Sequence, residues 1–344
     1  MILLILFVIV LAVIVLLTYE YRPDEAEELE LFGDVPEKTL HSGDEISLMT
    51  WNIGFGALGD NADFFMDGGK AVNPATLDRM VYNLSGITQE VTTVHPDLVF
   101  FQEIDQNAKR SHGISHITLM TEKMPGYQAA YARNLNVAYL PYPLPTTIGH
   151  VDSGIETLSS FPISSAMRIS LPDPFRWPVR AFNLKRCLLV SRIPVDNGKE
   201  LVAVNLHLEA YDSGEGKEAQ TEKLAAFMQK EREKGNYVIV GGDFNQYFSN
   251  IDYSRYYPDN ATWMPGILDT SRFPKGWQCL MDNSLPSCRS LQVVYEGSEK
   301  EGFPYFLIDG FIVSDNIKVK SVETQNLDFA FSDHNPVVLK AELQ

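Results

Sequence analysis

The chain has 344 residues, of which 45% are hydrophobic and 21% charged, so it can bury a large core in one large domain or two ordinary ones. Its formal net charge of −17 argues against non-specific nucleic-acid binding, because an acidic surface repels phosphate backbones, although a local basic cleft is compatible with it. Three cysteines exclude a disulfide scaffold and leave Cys279 and Cys288 either bridged or free.

Residues 2–17 form an unbroken apolar run without charge. With Met1, Thr18 and Tyr19 the run reaches the roughly 20 residues that span a bilayer, and no small-x-small cleavage site follows. We therefore predict a retained single-pass anchor over residues 1–19. The acidic residues that follow weakly favour an extracytoplasmic position for the rest of the chain, and residues 20–43, which show no clear period, are predicted to be an acidic linker.

The first half of the remaining chain predicts strands that end in polar residues. Glu45–Asn52 alternates as a strand and ends in Asn52, and residues 97–103 form an apolar strand that ends in Glu103. Between them, apolar residues at helical spacing predict a helix from Pro74 to Pro96. The acidic, glycine-containing stretch 60–69 is compatible with a calcium loop, but its spacing does not fit an EF-hand, which favours a solvated loop on the substrate side.

The second half repeats this pattern. A short helix is expected at 114–123 and an amphipathic helix at 216–234, and residues 248–303 are expected to form long loops. Strands are predicted at 127–131, 154–163, 185–190, 200–209, 238–240, 305–313, 318–324 and 337–342.

The stretch after the strand at 238 presents Asp243 and Asn245 on one side of an extended chain. Taken alone, it is more typical of a helix N-cap than of a catalytic site. The other predicted strands also carry polar residues at or near their ends, which gives the set Asn52, Glu103, Asn205, His207, Asp243, Asn245, Asp309, Asp333 and His334. Carboxylates and amides without cysteine favour Mg²⁺ or Mn²⁺, and together with histidine they indicate phosphate-ester hydrolysis.

The sequence resembles the endonuclease/exonuclease/phosphatase superfamily. The resemblance rests on MTWNIGF (49–55), PDLVFFQEI (96–104), NLHL (205–208), GGDFN (241–245), LIDGFIV (307–313) and SDHNPV (332–337). It implies an α+β fold for residues 44–344, a four-layered sandwich of two packed mixed β-sheets flanked by helices. The predicted transmembrane helix would precede this catalytic domain.

The resemblance also implies roles for individual residues. Asn52, Glu103 and Asp333 match the metal site, with Glu103 as the direct Mg²⁺ ligand. The remaining matches are catalytic: Asp243 orients or deprotonates the attacking water, Asn245 steadies water or phosphate, His334 bonds a phosphoryl oxygen, Asp309 orients His334, and His207 faces the leaving group.

Two positions depart from the superfamily pattern: Ser160 stands where an arginine is usual, and Gly310 where an aromatic residue is common. Both departures bear on contacts with the substrate more than on the metal site. The leading hypothesis is a monomeric, membrane-anchored Mg²⁺-dependent phosphoesterase that acts on a lipid headgroup or small phosphodiester. The alternatives are an exported nuclease, for which residues 176–186 carry the densest basic cluster, and a non-catalytic binding module on the same fold.

Overall fold

The structure is a computed structural model that describes Met1, Phe7 and residues 18–344. The predicted anchor at residues 2–17 lies outside the described residues. Among the residues that are described, no helix has the length and apolar character needed to cross a membrane.

The described residues form three α-helices and a series of strands. The helices are α1 (Leu77–Val94), α2 (His116–Lys123) and α3 (Glu215–Glu233). The strands are β1 (Ala26–Leu29), β2 (Leu31–Gly33), β3 (Glu45–Asn52), β4 (Leu98–Ala108), β5 (Gln128–Leu140), β6 (Gly149–Ser159), β7 (Ser165–Ser170), β8 (Cys187–Pro194), β9 (Glu200–His207), β10 (Tyr237–Asp243), β11 (Gln246–Phe248), β12 (Gly266–Leu268), β13 (Gln278–Leu280), β14 (Cys288–Arg289), β15 (Tyr305–Phe306), β16 (Asp309–Val313), β17 (Ile317–Thr324) and β18 (Val337–Leu343).

Most of these strands belong to two seven-stranded mixed sheets. Sheet A has the order β1-β7-β8-β9-β10-β16-β13, and sheet B has the order β17-β18-β3-β4-β6-β5-β2. In sheet A, β9 and β10 run parallel, and in sheet B, β3 and β4 run parallel. The carboxyl ends of these parallel strands carry His207, Asp243 and Asn52, which is why residues far apart in sequence meet at one end of the molecule.

The two sheets pack face to face around the main core. Phe100 and Leu339 of sheet B meet Ala203, Ile239 and Phe311 of sheet A in one buried cluster. The outer face of sheet B is covered by α1 and α2, and the outer face of sheet A is covered by α3 and the long loops. The prediction of two packed mixed sheets with helices outside them is confirmed.

Residues 20–43 are not simply a linker, because β1 pairs with β7 at the edge of sheet A and β2 pairs with β5 at the edge of sheet B. The strands have only 4 and 3 residues and no fully buried side chain, so they leave no hydrophobic period in the sequence. Strand β7, Ser165–Ser170, was also not predicted.

Strand β4 continues beyond its predicted end. It runs to Ala108, with a register shift against β6 between Phe101 and Ile104. Within this bulge Glu103 has a left-handed φ of 52°, which turns its side chain away from the regular alternation. The bulge therefore places a carboxylate at the end of the sandwich where Asn52 and Asp243 also lie.

All three cysteines are buried and free, so Cys279 and Cys288 are not bridged. Burial raises the pKa of the Cys279 thiol and of the Cys288 thiol to about 12, which keeps both protonated at neutral pH.

A partly buried ion pair links α3 to sheet A. Arg192 of β8 binds both oxygens of Glu231, at 2.7 and 3.0 Å, and Lys234 and Asn236 donate to the same carboxylate. Burial raises the pKa of Glu231, but the hydrogen bonds from Arg192, Lys234 and Asn236 outweigh it and lower the pKa to about 2. The folded protein therefore holds this carboxylate ionised more strongly than the unfolded chain does.

We predict a pH-dependent stability from this pair. Because the pKa of Glu231 is lower in the folded state, its contribution is complete above the ordinary pKa of 4.5 and is lost as pH falls towards about 2. Between pH 5 and pH 2 the unfolding free energy of the wild type should fall by about 1 to 2 kcal/mol more than that of Glu231→Gln, since solvent screens part of the interaction. Urea unfolding of both proteins across this range measures the difference, and equal pH slopes would contradict it.

Candidate active site

The centre of the site is a histidine–carboxylate pair. His334 Nδ1 lies 2.8 Å from Asp309 Oδ2, and both side chains are buried. Burial alone would lower the pKa of His334, but the acidic groups around it, Asp309 first among them, together outweigh burial and raise that pKa well above its ordinary value. His334 is therefore an imidazolium whose Nδ1–H is held by Asp309, which leaves Nε2–H directed towards Asp243 and Asp333, 3.9 Å from a carboxylate oxygen of each.

Asp243 lies at the end of β10, where the paired strands bring its neighbours close. Its Oδ1 accepts the backbone N–H of Asn245 at 2.8 Å, while its Oδ2 faces the cleft. Around Oδ2 lie the amide nitrogen of Asn52 at 3.0 Å and His207 Nε2 at 3.4 Å. Burial, and after it the nearby Asp309 carboxylate, raise the pKa of Asp243 to about 7.

The backbone before Asp243 requires glycine. Gly242 has a φ of 151°, and a β-carbon built on it would lie 2.0 Å from the Leu206 carbonyl oxygen of the neighbouring strand β9. Any side chain here would push β9 and β10 apart. This close approach keeps Asp243 and His207 side by side in the parallel register.

Asn52 orients two carboxylates. Its amide nitrogen donates to Glu103 Oε1 at 3.2 Å and to Asp243 Oδ2 at 3.0 Å, while its Oδ1 accepts the N–H of Gly54. With the amide oxygen satisfied by the backbone, Asn52 is a positioning residue for Glu103 and Asp243 in this structure. The sequence prediction placed it among the metal residues.

Asp333 is the third predicted metal residue, and it lies directly beside the loop after β3. A β-carbon on Gly54 would come within 2.8 Å of Asp333 Oδ1, so only glycine leaves room for this carboxylate. Burial is the main cause that raises the pKa of Asp333 to about 6, and Glu103 adds to it by repulsion. The two carboxylates therefore act on one another across the cleft.

Asn245 and His207 complete the predicted set. Asn245, with a φ of 52°, donates its side-chain amide to the Leu208 carbonyl at 2.9 Å. Burial, followed by the charges of Arg186 and His334, lowers the pKa of His207 well below its ordinary value. A neutral His207 acts as a hydrogen-bond donor near a leaving group better than as a proton donor.

The structure adds a carboxylate that the sequence prediction missed. Asp67 ends a 3-10 helix, Phe65–Asp67, and lines the same cleft as Glu103 and Asp333. Its Oδ1 accepts the hydroxyl of Tyr211 at 3.1 Å. Burial is the largest cause that raises the pKa of Asp67 to about 7, and repulsion from Asp333 and Glu103 contributes. The acidic loop with two glycines was visible in the sequence, and it does lie on the cleft.

Tight packing fixes the loop that carries Asp67. Gly68 has a φ of 96°, and a β-carbon on it would lie 2.6 Å from Thr262 Oγ1. Asp63 closes the loop by accepting the N–H of Ala71 at 2.8 Å. The Asp67 carboxylate is thus held at the cleft by packed backbone.

Arg186 also lies at the cleft, beside His207, and was predicted only as part of a basic cluster. It is buried, its Nε is 3.6 Å from Glu209 Oε2, and this Nε has no hydrogen-bond partner among the described residues. Asn205, in contrast, is not part of the site. It accepts from Gln102 and donates to the carbonyls of Phe101 and Glu156, and so joins sheet A to sheet B.

The donor set fits a hard divalent cation. Asp67, Glu103 and Asp333 are carboxylates that repel one another in a mostly buried cleft, and a cation such as Mg²⁺ would relieve that repulsion. Two closer clusters, Cys288–Asp333–His334 and Asp243–Asp309–His334, have the spacing of metal ligands. Both include His334, whose Nδ1 is engaged by Asp309, whereas Mg²⁺ prefers oxygen ligands, so the carboxylate set is the better candidate.

Of the two departures from the superfamily pattern, Ser160 lies away from the reacting groups and Gly310 directly follows Asp309. Ser160 follows β6 at the opposite end of sheet B, where its hydroxyl donates to Asp97 at 3.3 Å. At Gly310 of β16 a β-carbon would lie 2.4 Å from the Leu280 carbonyl oxygen of β13, so an aromatic residue has no room there.

Comparisons with known proteins agree with this geometry. A family model described as Endonuclease/Exonuclease/phosphatase family matches residues 49–334, which is most of the chain. The chain belongs to the endonuclease/exonuclease/phosphatase family. Members of this family are hydrolases that act on phosphoester bonds and typically depend on a divalent metal.

Solved structures of the family share the fold at low sequence identity. An endonuclease/exonuclease/phosphatase from Beutenbergia cavernae DSM 12333 has a TM-score of 0.60 at 18% identity, over 87% of this chain and 72% of that chain. The human Nocturnin catalytic domain with bound sulfate anion has a TM-score of 0.52 at 17% identity, over 92% and 97%. D. rerio TDP2 complexed with single strand DNA product has a TM-score of 0.52 at 14% identity, over 87% and 99%. No curated protein matches the chain in sequence.

Proposed function

We propose that this protein is a Mg²⁺-dependent phosphoesterase, anchored to a membrane by residues 1–19, that hydrolyses a phosphodiester or phosphomonoester. The observation that carries the proposal is the meeting of Asp243, His334 and Glu103 at one end of the sandwich, although they come from β10, the loop before β18 and the bulge of β4. A structural role alone does not account for so many buried, mutually repelling carboxylates.

The chain's own residues divide the reaction between them. Asp243, whose Oδ2 faces the cleft, orients the attacking water and accepts its proton. His334, held by Asp309, presents Nε2–H to a phosphoryl oxygen. As the water oxygen bonds to phosphorus, the bond from phosphorus to the leaving oxygen breaks, and that oxygen departs as an anion that accepts a hydrogen bond from His207 and then a proton from solvent. Glu103, Asp333 and Asp67 would hold Mg²⁺, and the bound ion supplies positive charge that stabilises the phosphoryl group in the transition state.

The substrate that we propose is a lipid headgroup or another small phosphodiester. Three of the four cations in the basic cluster that would favour a nuclease are paired: Arg180 with Glu20 at 3.0 Å, Lys185 with Asp173 at 2.9 Å, and Arg186 with Glu209. A nucleic-acid backbone needs unpaired cations along its path. A nuclease stays the second candidate because the TDP2 neighbour holds a DNA product. We place the domain outside the cytoplasm and propose that it is monomeric.

An assay panel tests the proposed activity. The full chain in neutral detergent with Mg²⁺ should hydrolyse bis(p-nitrophenyl) phosphate and a phospholipid faster than single- or double-stranded DNA. Cleavage of DNA alone would reject the lipid preference in favour of the nuclease, and cleavage of none of them would favour a non-catalytic binding module.

The metal site gives a prediction that does not depend on turnover. We expect Glu103→Gln and Asp67→Asn each to weaken Mg²⁺ affinity at least tenfold, because each removes one carboxylate charge from the set that faces the ion. The measurement is the Mg²⁺ concentration that gives half of the maximal rise in the thermal unfolding midpoint.

Glu122→Gln is the matched control, since Glu122 is exposed on α2 away from the cleft. It should leave the Mg²⁺ response unchanged. A wild-type response to Mg²⁺ in Asp67→Asn would remove Asp67 from the ligand set, and the same result in Glu103→Gln would reject the site.

A further inference from the structure

The cleft that contains the catalytic residues has a second, apolar half. The whole cleft encloses about 590 Å³, which is within the range of small-molecule sites. Beyond Asp243 and His334 its wall is formed by three segments, 64–66, 140–148 and 179–184. They contribute Phe64, Phe65, Met66, Leu140, Tyr142, Ile148, Val179, Phe182 and Leu184. A phosphate group gains no hydrogen bond or charge interaction from these hydrophobic side chains.

The outer edge of the apolar half is exposed. We call Tyr139, Tyr142, Leu144, Trp177 and Val179 the apolar rim: Tyr142 and Val179 line the cleft, and the other three lie within three residues of one of them in the chain. Leu144 is 80% exposed, Tyr142 is 63% exposed and Val179 is 57% exposed. Neighbouring large hydrophobic side chains at the mouth of a cleft are typical of a surface that meets a membrane or an apolar ligand.

The chain that follows the predicted anchor lies against the same wall. Glu20 pairs with Arg180 at 3.0 Å, inside the segment that forms the cleft, and the Tyr21 hydroxyl donates to the Arg133 carbonyl at 3.3 Å. Residues 20–23 and residues 180–186 line one shared groove. A bilayer that holds residues 1–19 would therefore lie near the apolar rim.

An exposed hydrophobic residue at the other end of the molecule provides a control position for substitutions in the apolar rim. Val35 is 71% exposed and follows β2, which pairs with the beginning of β5 at Gln128. The cleft is at the opposite end of β5, at Leu140, so about twelve residues of extended strand, roughly 40 Å, separate Val35 from the apolar rim.

We infer that the apolar half of the cleft binds the acyl or alkyl chain of a lipid phosphoester, which enters over the apolar rim from the bilayer in which the protein is anchored. The inference rests on the proposed phosphoesterase activity and names its substrate class. The occupant is apolar because three wall segments offer hydrophobic side chains. The alkyl chain and the phosphate belong to one substrate molecule, because Asp243, His207 and His334 line the same cavity as the apolar wall.

The test compares phosphodiesters that differ only in chain length. The full chain in neutral detergent with Mg²⁺ is assayed on ethyl p-nitrophenyl phosphate and on octyl p-nitrophenyl phosphate. Each methylene that the cleft buries should raise kcat/KM by about fourfold, so the octyl ester should exceed the ethyl ester at least tenfold. A third arm, the p-nitrophenyl ester of thymidine 5′-monophosphate, offers a nucleotide in place of the alkyl chain.

Substitutions in the rim locate the effect. Val179→Asp and Leu144→Asp should each lower the octyl-to-ethyl ratio at least fivefold, because a carboxylate at the rim is costly to bring against an alkyl chain. Val35→Asp, the same substitution at the distant end, should leave both rates and their ratio unchanged. Val179 and Leu144 are exposed, so the thermal unfolding midpoints of the Val179→Asp and Leu144→Asp variants should remain within about 2 °C of the wild type.

The outcomes separate the inference from the proposed function. Absence of hydrolysis of all three esters would reject the phosphoesterase activity itself. Hydrolysis with equal rates for ethyl and octyl esters, or a preference for the nucleotide ester, would overturn the inference and leave the activity standing. A chain-length preference that Val179→Asp and Leu144→Asp do not change would place the alkyl chain elsewhere and would also overturn it.

Discussion

Replacement of Asp243 by asparagine should lower kcat for bis(p-nitrophenyl) phosphate by about a thousandfold, within the range that a general base contributes. The asparagine side chain keeps the size of aspartate and the bond to the Asn245 N–H, but an amide NH₂ replaces Oδ2 and cannot accept a proton from water. The measurement is the initial rate of the full chain in neutral detergent at saturating Mg²⁺, for the wild type and the variant.

Asp252→Asn is the control for this substitution, because Asp252 is an exposed turn residue that bonds Ser254. It should keep the wild-type rate. Asp243→Asn should also keep the Mg²⁺ response of the unfolding midpoint, because the proposed metal ligands are Glu103, Asp333 and Asp67. A variant with the wild-type rate would exclude Asp243 as the proton acceptor.

His334→Ala should lower kcat by a factor of roughly 100 to 1000, the effect of removing a charged donor to a phosphoryl oxygen. Asp309→Asn should lower it by a similar factor, because the imidazolium loses the carboxylate that orients Nδ1–H. The double variant should be no worse than about threefold below His334→Ala alone, since the two residues act as a unit.

Steady-state rates of the four proteins in this cycle provide the test, with urea unfolding as the check on folding. Asp309→Asn leaves a buried imidazolium without its partner, so some loss of stability is expected alongside the loss of rate. Multiplicative effects on kcat, with the double variant losing the product of the two single factors, would show that Asp309 does not act through His334.

The sequence predicted the elements with strong periodicity well. Helix α1 occupies Leu77–Val94, where apolar residues recur at helical spacing between two prolines, and β3 has the predicted bounds Glu45–Asn52. Such elements are fixed by local pattern and by burial of one face. Strands β1 and β2 were missed because they are short edge strands whose formation depends on β7 and β5 being in place.

The residues of the candidate site also divide into those that local sequence pattern predicts and those whose position depends on tertiary packing. Asp243, Asp309 and His334 were predicted because they follow or interrupt apolar strands, and the structure brings them together. The bulge that turns Glu103 towards the cleft depends on its register with β6, and the position of Asp67 depends on packing against Thr262. Both are tertiary effects that a linear pattern does not contain, so the pattern placed Glu103 at a strand end without its turn towards the cleft, and Asp67 was not found as a site residue.

The most direct test of the proposed function is one rate measurement on the full chain. The initial rate of bis(p-nitrophenyl) phosphate hydrolysis is recorded after removal of divalent cations with EDTA, and again after Mg²⁺ is restored, for the wild type and Asp243→Asn. We predict that hydrolysis by the wild type disappears with EDTA and returns with Mg²⁺, while Asp243→Asn stays about a thousandfold slower in Mg²⁺. Hydrolysis that survives EDTA, or equal rates for the two proteins, would contradict the proposed mechanism.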